Sequence, residues 1–162
     1  MRASPRVSVV LPVRDGSDTL TDAIESIFSQ SERDFELIVV DDGSRDETSA
    51  ILGEYSTRDD RMRILSSGGA GIVAALNLGI REARGSLIAR MDADDVSLEK
   101  RLQLQCDFLD ANPGLDLVSC CVDHWCEDVE SRKGYAAYVD WTNGLMSEER
   151  IRLSRFVESP FA

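Results

Sequence analysis

The chain has 162 residues, 43% hydrophobic and 30% charged, and its 30 acidic against 18 basic side chains give a net charge of −12. That length suits one domain with a real core, and the acidic balance excludes a nucleic-acid partner held on a basic surface or a polybasic membrane patch. No apolar run approaches the roughly 20 residues of a membrane span, and the first residues lack a signal-peptide core, so a cytoplasmic protein, free or at the inner face of the membrane, is the expectation.

Val7 to Val13 is a nearly continuous apolar run, as a strand covered on both faces requires. The turn Arg14-Asp15-Gly16-Ser17 leads into a helix capped by Ser17 or Asp18, with Leu20, Ile24, Ile27 and Phe28 on one face. Phe35 to Val40 reads as a second strand, ending at Asp41-Asp42-Gly43-Ser44. Asp46 begins a helix through Ile51 and Leu52, and Arg63-Ile64-Leu65 is a short strand. A Gly-rich loop, Ser66 to Gly71, precedes a helix over Ile72 to Ala83 that places Ile72, Ala75, Leu76, Gly79 and Ile80 on one side. Ser86 to Arg90 reads as a buried strand running into Met91-Asp92-Ala93-Asp94-Asp95. A helix over Leu98 to Leu109, with Leu102 and Leu109 in the core, is stopped by Asn112-Pro113-Gly114. Leu115 to Cys121 reads as a fifth strand. Tyr135 to Trp141 fits a strand or an exposed aromatic stretch, and Ser147-Glu148-Glu149 starts a helix through Ile151, Leu153 and Phe156.

Strand and helix alternate, which predicts an α/β fold with a mostly parallel sheet flanked by helices. Ligands in such sheets sit beyond the carboxyl ends of the strands. Three of those ends are polar here: Arg14-Asp15, Asp41-Asp42 and Asp92 to Asp95. Three carboxylates in four residues repel one another unless solvated or joined by a cation. Carboxylate oxygens suit Mg²⁺ or Mn²⁺, which keeps coordination positions that phosphates fill. A solvated acidic turn capping the next helix explains the same residues, and Asp41 or Asp42 equally begins an Asp-Gly-Ser turn.

Several α/β readings lose ground on particular residues. The first turn lacks the G-x-G-x-x-G of a dinucleotide-binding domain, and Gly68-Gly69-Ala70-Gly71 lacks the Gly-Lys-Ser/Thr of a P-loop. A phospho-receiver domain needs a lysine at a late strand end, whereas Lys100 falls in a helix and Lys133 in a polar loop. A calcium loop counted from Asp92 has Ser97 where glycine belongs and Gln103 where glutamate belongs. Cys106, Cys120, Cys121 and Cys126 lack a zinc spacing around His124, so buried strand thiols and a packing or surface histidine are expected.

The ordered segments Val7 to Val13, Ala23 to Ile27, Asp34 to Ser44, Ala74 to Ile80, Ala83 to Gly85 and Ala89 to Asp95 together resemble family 2 glycosyltransferases of the GT-A fold. The likeness runs from about Val7 to Val118 and implies a Rossmann-like nucleotide-diphospho-sugar transferase fold, with residues 1–162 a single such domain. It implies a nucleoside-diphosphate sugar, commonly of uridine, bound across the first half of the sheet. Asp42 matches the acid that contacts the base or ribose, and Pro12, Val13, Arg14 and Asp15 match the segment lining the nucleoside. Arg14 and Asp15 stand where the family usually has tyrosine and asparagine. Asp92, Asp94 and Asp95 match the metal motif, with Asp94 the foremost ligand for Mg²⁺ or Mn²⁺ and Asp92 also on the nucleotide side.

Family members that invert the sugar need a carboxylate base far downstream, in the acceptor-binding half. Asp123, Glu127, Asp128 and Asp140 match no such motif, so the base is expected beyond Ala162 and the chain is expected to be a truncated, donor-binding portion. The acceptor would be a sugar or glycolipid hydroxyl. Apolar surface near Trp125, Tyr138, Trp141, Leu153 and Phe156 would favour a homodimer or aggregation. A nucleotide-binding module without turnover, or a receiver-like phospho-switch, remains the alternative to an enzyme.

Overall fold

The structure, a computed structural model, describes residues 4–124 and 132–154; Trp125, Cys126, Glu127, Asp128 and Phe156 lie outside the described residues. The described residues fall into two compact units divided after Leu104.

The first unit runs β1 (Val7–Val13), α1 (Leu20–Phe28), β2 (Phe35–Asp41), α2 (Thr48–Arg58), β3 (Met62–Ser66), α3 (Ile72–Glu82), β4 (Leu87–Arg90) and the start of α4 (Arg101–Ala111). The four strands form one sheet in the order β3-β2-β1-β4, and every pairing is parallel. Val7 aligns with Phe35 on one side and with Leu87 on the other, so the first strand made is central in the sheet. All seven residues of β1 are buried, and so are the first six of β2. Four of seven residues of β1 are valine, and β2 carries Ile38, Val39 and Val40, because branched side chains pack well on a pleated surface covered from both sides. α1 buries Leu20, Ala23, Ile24 and Ile27, spaced three and four apart on one face.

α3 lies against the sheet through its small residues. Ala75 packs with Ile38 and Val40, and a methyl group on Gly79 would collide with Val10. Ile72 and Ile80, expected on the inner side, are 55% and 50% exposed. The helix approaches most closely along Ala75 and Gly79, with Leu78 packed beside them, while Ile72 and Ile80 fall outside that strip. The helix start expected at Ser17 or Asp18 is displaced: Thr19 occupies the cap position and makes no side-chain capping bond.

β4 is less buried than its composition suggests. It pairs with β1 alone among the described residues, and Ile88 is 47% exposed. At the amino ends of the strands a polar knot closes the sheet. The Ser8 hydroxyl donates to Glu36 at 2.7 Å, and the Arg84 N–H donates to the same carboxylate at 2.8 Å. Arg63 reaches Glu36 at 3.2 Å and the Glu82 carbonyl at 2.9 Å. Burial alone would raise the Glu36 pKa, yet the donors from Ser8, Arg84 and Arg63 outweigh it and hold the carboxyl below its ordinary range.

The second unit contains the rest of α4, α5 (Arg132–Asn143) and α6 (Glu148–Ser154). Three expectations are corrected, two in this unit and one at the start of α4. Leu115 to Cys121 forms neither strand nor helix; Leu117 is 60% exposed and Cys120 and Cys121 are exposed, while Cys106 is buried. A strand needs a neighbour for its backbone, and in this segment the Asn143 amide serves Val122 instead, accepting its N–H at 2.9 Å and donating to its carbonyl at 2.7 Å. Tyr135 to Trp141 is helical, so its aromatic residues share a face at a spacing of three. Tyr138 and Trp141 rings lie 5.9 Å apart, and Tyr135 stacks on His124 at 5.3 Å. α4 begins at Arg101 rather than Leu98, which is 80% exposed. Among the described residues no helix is long and apolar enough to cross a membrane.

Candidate functional site

The three polar strand ends converge within the first unit. The turn after β1 holds Asp15 at φ 50°, the only left-handed non-glycine conformation among the described residues. Its neighbours explain how that conformation is held. The Asp15 N–H donates to the Ser44 hydroxyl at 3.0 Å, and the Asp15 carboxylate accepts the Arg45 N–H at 2.7 Å. The Gly16 N–H reaches the Thr48 hydroxyl at 3.0 Å, and the Ser17 N–H reaches Asp46 at 2.9 Å. Donation from Thr48 and Ser17 holds the Asp46 carboxyl well below its ordinary range. The β1–α1 turn is therefore bolted to the β2–α2 turn by side chains of the latter.

Asp42 follows the end of β2 and is 4% exposed. Its carboxylate accepts the Ser67 hydroxyl at 2.6 Å and the Gly71 N–H at 3.0 and 3.1 Å. The Ser67 donation comes first among the causes that hold its pKa down, opposed by burial and reinforced by Gly71 and Arg14. Gly71 has φ 93°, a backbone conformation open to glycine at no steric cost, and it starts α3. Asp42 thus fixes the Gly-rich loop, a duty invisible in the sequence because the two segments are more than 20 residues apart. The Arg14 guanidinium lies 3.9 Å from the same carboxylate and is half exposed.

A cleft of about 310 Å³ opens between the β1–α1 turn and the acidic loop. Pro12, Val13, Arg14, Asp15 and Gly16 form one wall, and Asp92, Ala93 and Asp94 the other, with Thr19 and Ile72 between them. Of the expected nucleotide-side residues, Pro12, Val13, Arg14, Asp15 and Asp92 meet here; Asp42 stands behind Arg14 and is not part of the wall. Of the expected metal ligands, Asp92 and Asp94 line the cleft and Asp95 does not.

The three acidic side chains have different surroundings. Asp92 is clamped by Arg90, whose Nε and Nη2 donate at 3.0 and 2.8 Å. Arg90 stands two residues before Asp92, a spacing that keeps both on one face of an extended chain. Asp94 is exposed and has no side-chain partner among the described residues. Burial, and then the charges of Asp92 and Asp94, raise the Asp95 pKa above the ordinary carboxylate value. Among the described residues no group of three or more His, Cys, Asp or Glu side chains is placed to hold a metal ion. The donor set fits instead a hard divalent cation held by one or two carboxylates, with phosphate and water completing its shell.

A parallel sheet with a polar cleft and an acidic loop at its carboxyl edge defines an α/β protein of the kind whose ligand sites lie beyond the strand ends. The chain matches Glycosyl transferase family 2 over residues 8–161 and belongs to that family. It is 38% identical over 112 residues to the putative glycosyltransferase EpsE of Bacillus subtilis, a match covering 68% of this chain and 40% of that protein. The chain spans between 15 and 46% of the length of the curated relatives it matches. Among solved structures it resembles the mannosyltransferase PcManGT from Pyrobaculum calidifontis in complex with GDP-Man and Mn²⁺, with TM-score 0.68, 24% identity, and coverage of 83% of this chain and 38% of that one. It also resembles S. aureus TarS 1-349 in complex with UDP-GlcNAc, with TM-score 0.63, 21% identity, and coverage of 74% and 38%. These neighbours share the GT-A fold, as the ordered motifs imply.

Proposed function

We propose that the β1-to-β4 sheet and its acidic loop form the donor-binding half of a glycosyltransferase domain, taking a nucleoside-diphosphate sugar with Mg²⁺ or Mn²⁺. One observation carries the reading: Asp94, with a free carboxylate, faces the Pro12–Gly16 wall across a single cleft. Family membership supports it, and so do fold neighbours solved with UDP-GlcNAc and with GDP-Man and Mn²⁺. A uridine diphosphate sugar is the first donor to test.

Asp94 is the foremost ligand, and Asp92 and Asp95 are its partners. A cation there would neutralise the diphosphate and assist its departure. The chain's own residues supply the rest. Arg14 is poised to donate to the base or a phosphate oxygen, and Asp42 holds Arg14 and the Gly-rich loop in place. The acceptor, a sugar or glycolipid hydroxyl, would attack the anomeric carbon from the face opposite the diphosphate, so the reaction inverts. Its proton passes to a base that no residue of this chain is assigned to supply.

Calorimetry of uridine diphosphate binding, with Mn²⁺ or with EDTA, tests the reading. Affinity should fall at least about 10-fold without the cation, as loss of a metal's ligand-bridging role implies. Asp94→Ala should reproduce that loss with an unchanged melting temperature. Asp42→Ala should blunt discrimination among uridine, guanosine and thymidine diphosphates while keeping the metal dependence. Equal affinity with and without metal would rule out a cation-bridged diphosphate in this cleft.

A further inference from the structure

We infer that Gln30 is a positioning residue for the acidic loop, setting from behind where Asp92 to Asp95 meet a bound cation and diphosphate. Gln30 is wholly buried although it is polar. Its side-chain N–H groups share four oxygens: the Ser26 carbonyl at 3.1 Å, the Ser97 carbonyl and hydroxyl at 3.1 and 3.2 Å, and the Leu98 carbonyl at 2.8 Å. Its side-chain oxygen accepts the Leu102 N–H at 3.0 Å. One amide therefore gathers the carbonyls that follow the acidic loop and the first turn of α4, and ties both to the end of α1.

A second row of bonds runs alongside. The Ser97 N–H donates to the Ser26 hydroxyl at 3.0 Å, and the Ser31 N–H donates to the Glu99 carbonyl at 2.8 Å. Ser97 is two residues from Asp95, and Met91, buried at 2%, anchors the loop on its other side. The loop is thus pinned at both ends while its carboxylates stay in solvent. Only an amide serves at position 30, since it donates to carbonyls and accepts from an N–H at once. Glutamate would turn a lone pair toward the carbonyls, and an apolar side chain would leave the Leu102 N–H and four oxygens without that partner. Groups that orient a metal's ligands without touching the metal typically change its affinity about 10- to 100-fold when removed.

The inference rests on the donor-site reading and is tested beside it. Gln30→Met keeps the volume and removes the hydrogen bonds; Ser26→Ala removes the Ser97 tether, together with the hydroxyl's own bond to the Ala23 carbonyl, and leaves Gln30 in place. For the full chain and both variants, Mn²⁺ is titrated into a fixed concentration of uridine diphosphate, and amide hydrogen exchange of residues 92–102 is followed without metal. The half-saturating Mn²⁺ concentration should rise about 10-fold in Gln30→Met and by a smaller factor in Ser26→Ala. Exchange should quicken in residues 92–102 before it does in β1 and β2, and the order of preference among nucleoside diphosphates should stay the same. A purely structural role would lower the melting temperature and leave the Mn²⁺ midpoint within about twofold in both variants, which overturns the inference. Should Gln30→Met fail to fold, Ser26→Ala decides alone. Absence of Mn²⁺ dependence in the unaltered chain sinks the donor-site reading and this inference together; Mn²⁺ dependence there with unmoved midpoints in the variants sinks this inference only.

Discussion

Gly85 occupies a place where the sheet leaves room for a hydrogen atom and no more. A methyl group there would stand 2.6 Å from the Ser8 backbone nitrogen and 2.7 Å from the Val7 carbonyl carbon. Backbone cannot swing aside as a long side chain can, and the Gly85 N–H itself donates to the Ser8 hydroxyl at 2.8 Å. Gly85→Ala should therefore cost about 1–3 kcal/mol of stability, read as a drop in the urea midpoint, with Gly53→Ala as the control because nothing lies within 4 Å of that position. A variant as stable as the parent would mean the α3–β4 connection shifts freely. Residues of this kind divide what sequence shows from what it hides. Asp92, Asp94 and Asp95 announce themselves because three charges in four positions have few explanations. Gln30 and Ser67 do not, because their meaning lies in partners that only the folded chain brings near, and nothing in the spacing around Gln30 marks it as more than the polar end of a helix.

Between elements, carboxylates do much of the joining. Glu36 ties β2 to the α3–β4 connection, Asp42 ties the end of β2 to the start of α3, and Asp46 ties the β2–α2 turn to the β1–α1 turn. Each has a pKa below its ordinary value in the folded chain. A carboxyl with a lowered folded pKa contributes stability above its unfolded value, near 4, and loses it as pH falls through the folded value. Asp95 runs the other way: its raised pKa makes its ionisation cost stability as pH rises, so protonating it in acid returns a part. Glu32, held low by the Asp34 N–H, joins Glu36, Asp42 and Asp46, and four lowered carboxyls against one raised give a net acid sensitivity. The melting temperature of the metal-free chain, followed by circular dichroism, should change little from pH 7 to about 5 and fall steadily below about 4. A constant or rising value down to pH 3 would show that these bonds do not hold the elements together. Elements themselves were largely legible. Continuous valine and isoleucine runs bounded by Asp-Gly or Gly-rich turns mark strands well, and β1 to β4 lie where those runs are. Leu115 to Cys121 has the same look and is not a strand, since apolar composition cannot say whether a neighbouring backbone is present. Tyr135 to Trp141 misled for the opposite reason: aromatic residues suggest strands, but a spacing of three between tyrosines and tryptophan is also a helix face, with Ala136 and Ala137 to favour it.

Taken whole, the sheet order has a consequence for how the molecule is made. β1 leaves the ribosome ahead of its partner β4, which follows about 80 residues later, a delay of about 4 to 16 seconds at roughly 5–20 residues per second. Throughout that interval one edge of a wholly buried strand, Val7 to Val13, lacks the neighbour that covers it in the finished fold. A nascent chain in that state is a template for pairing with another strand, so synthesis favours whatever holds β1 against β2 and α1 early. Chains stalled with Arg90 still inside the tunnel should be cut by brief proteolysis, and chains stalled once β4 has emerged should resist. Resistance before β4 appears would show that β1, β2 and β3 with their helices already stand as a folded intermediate, and that β4 with its acidic loop is added to a finished frame.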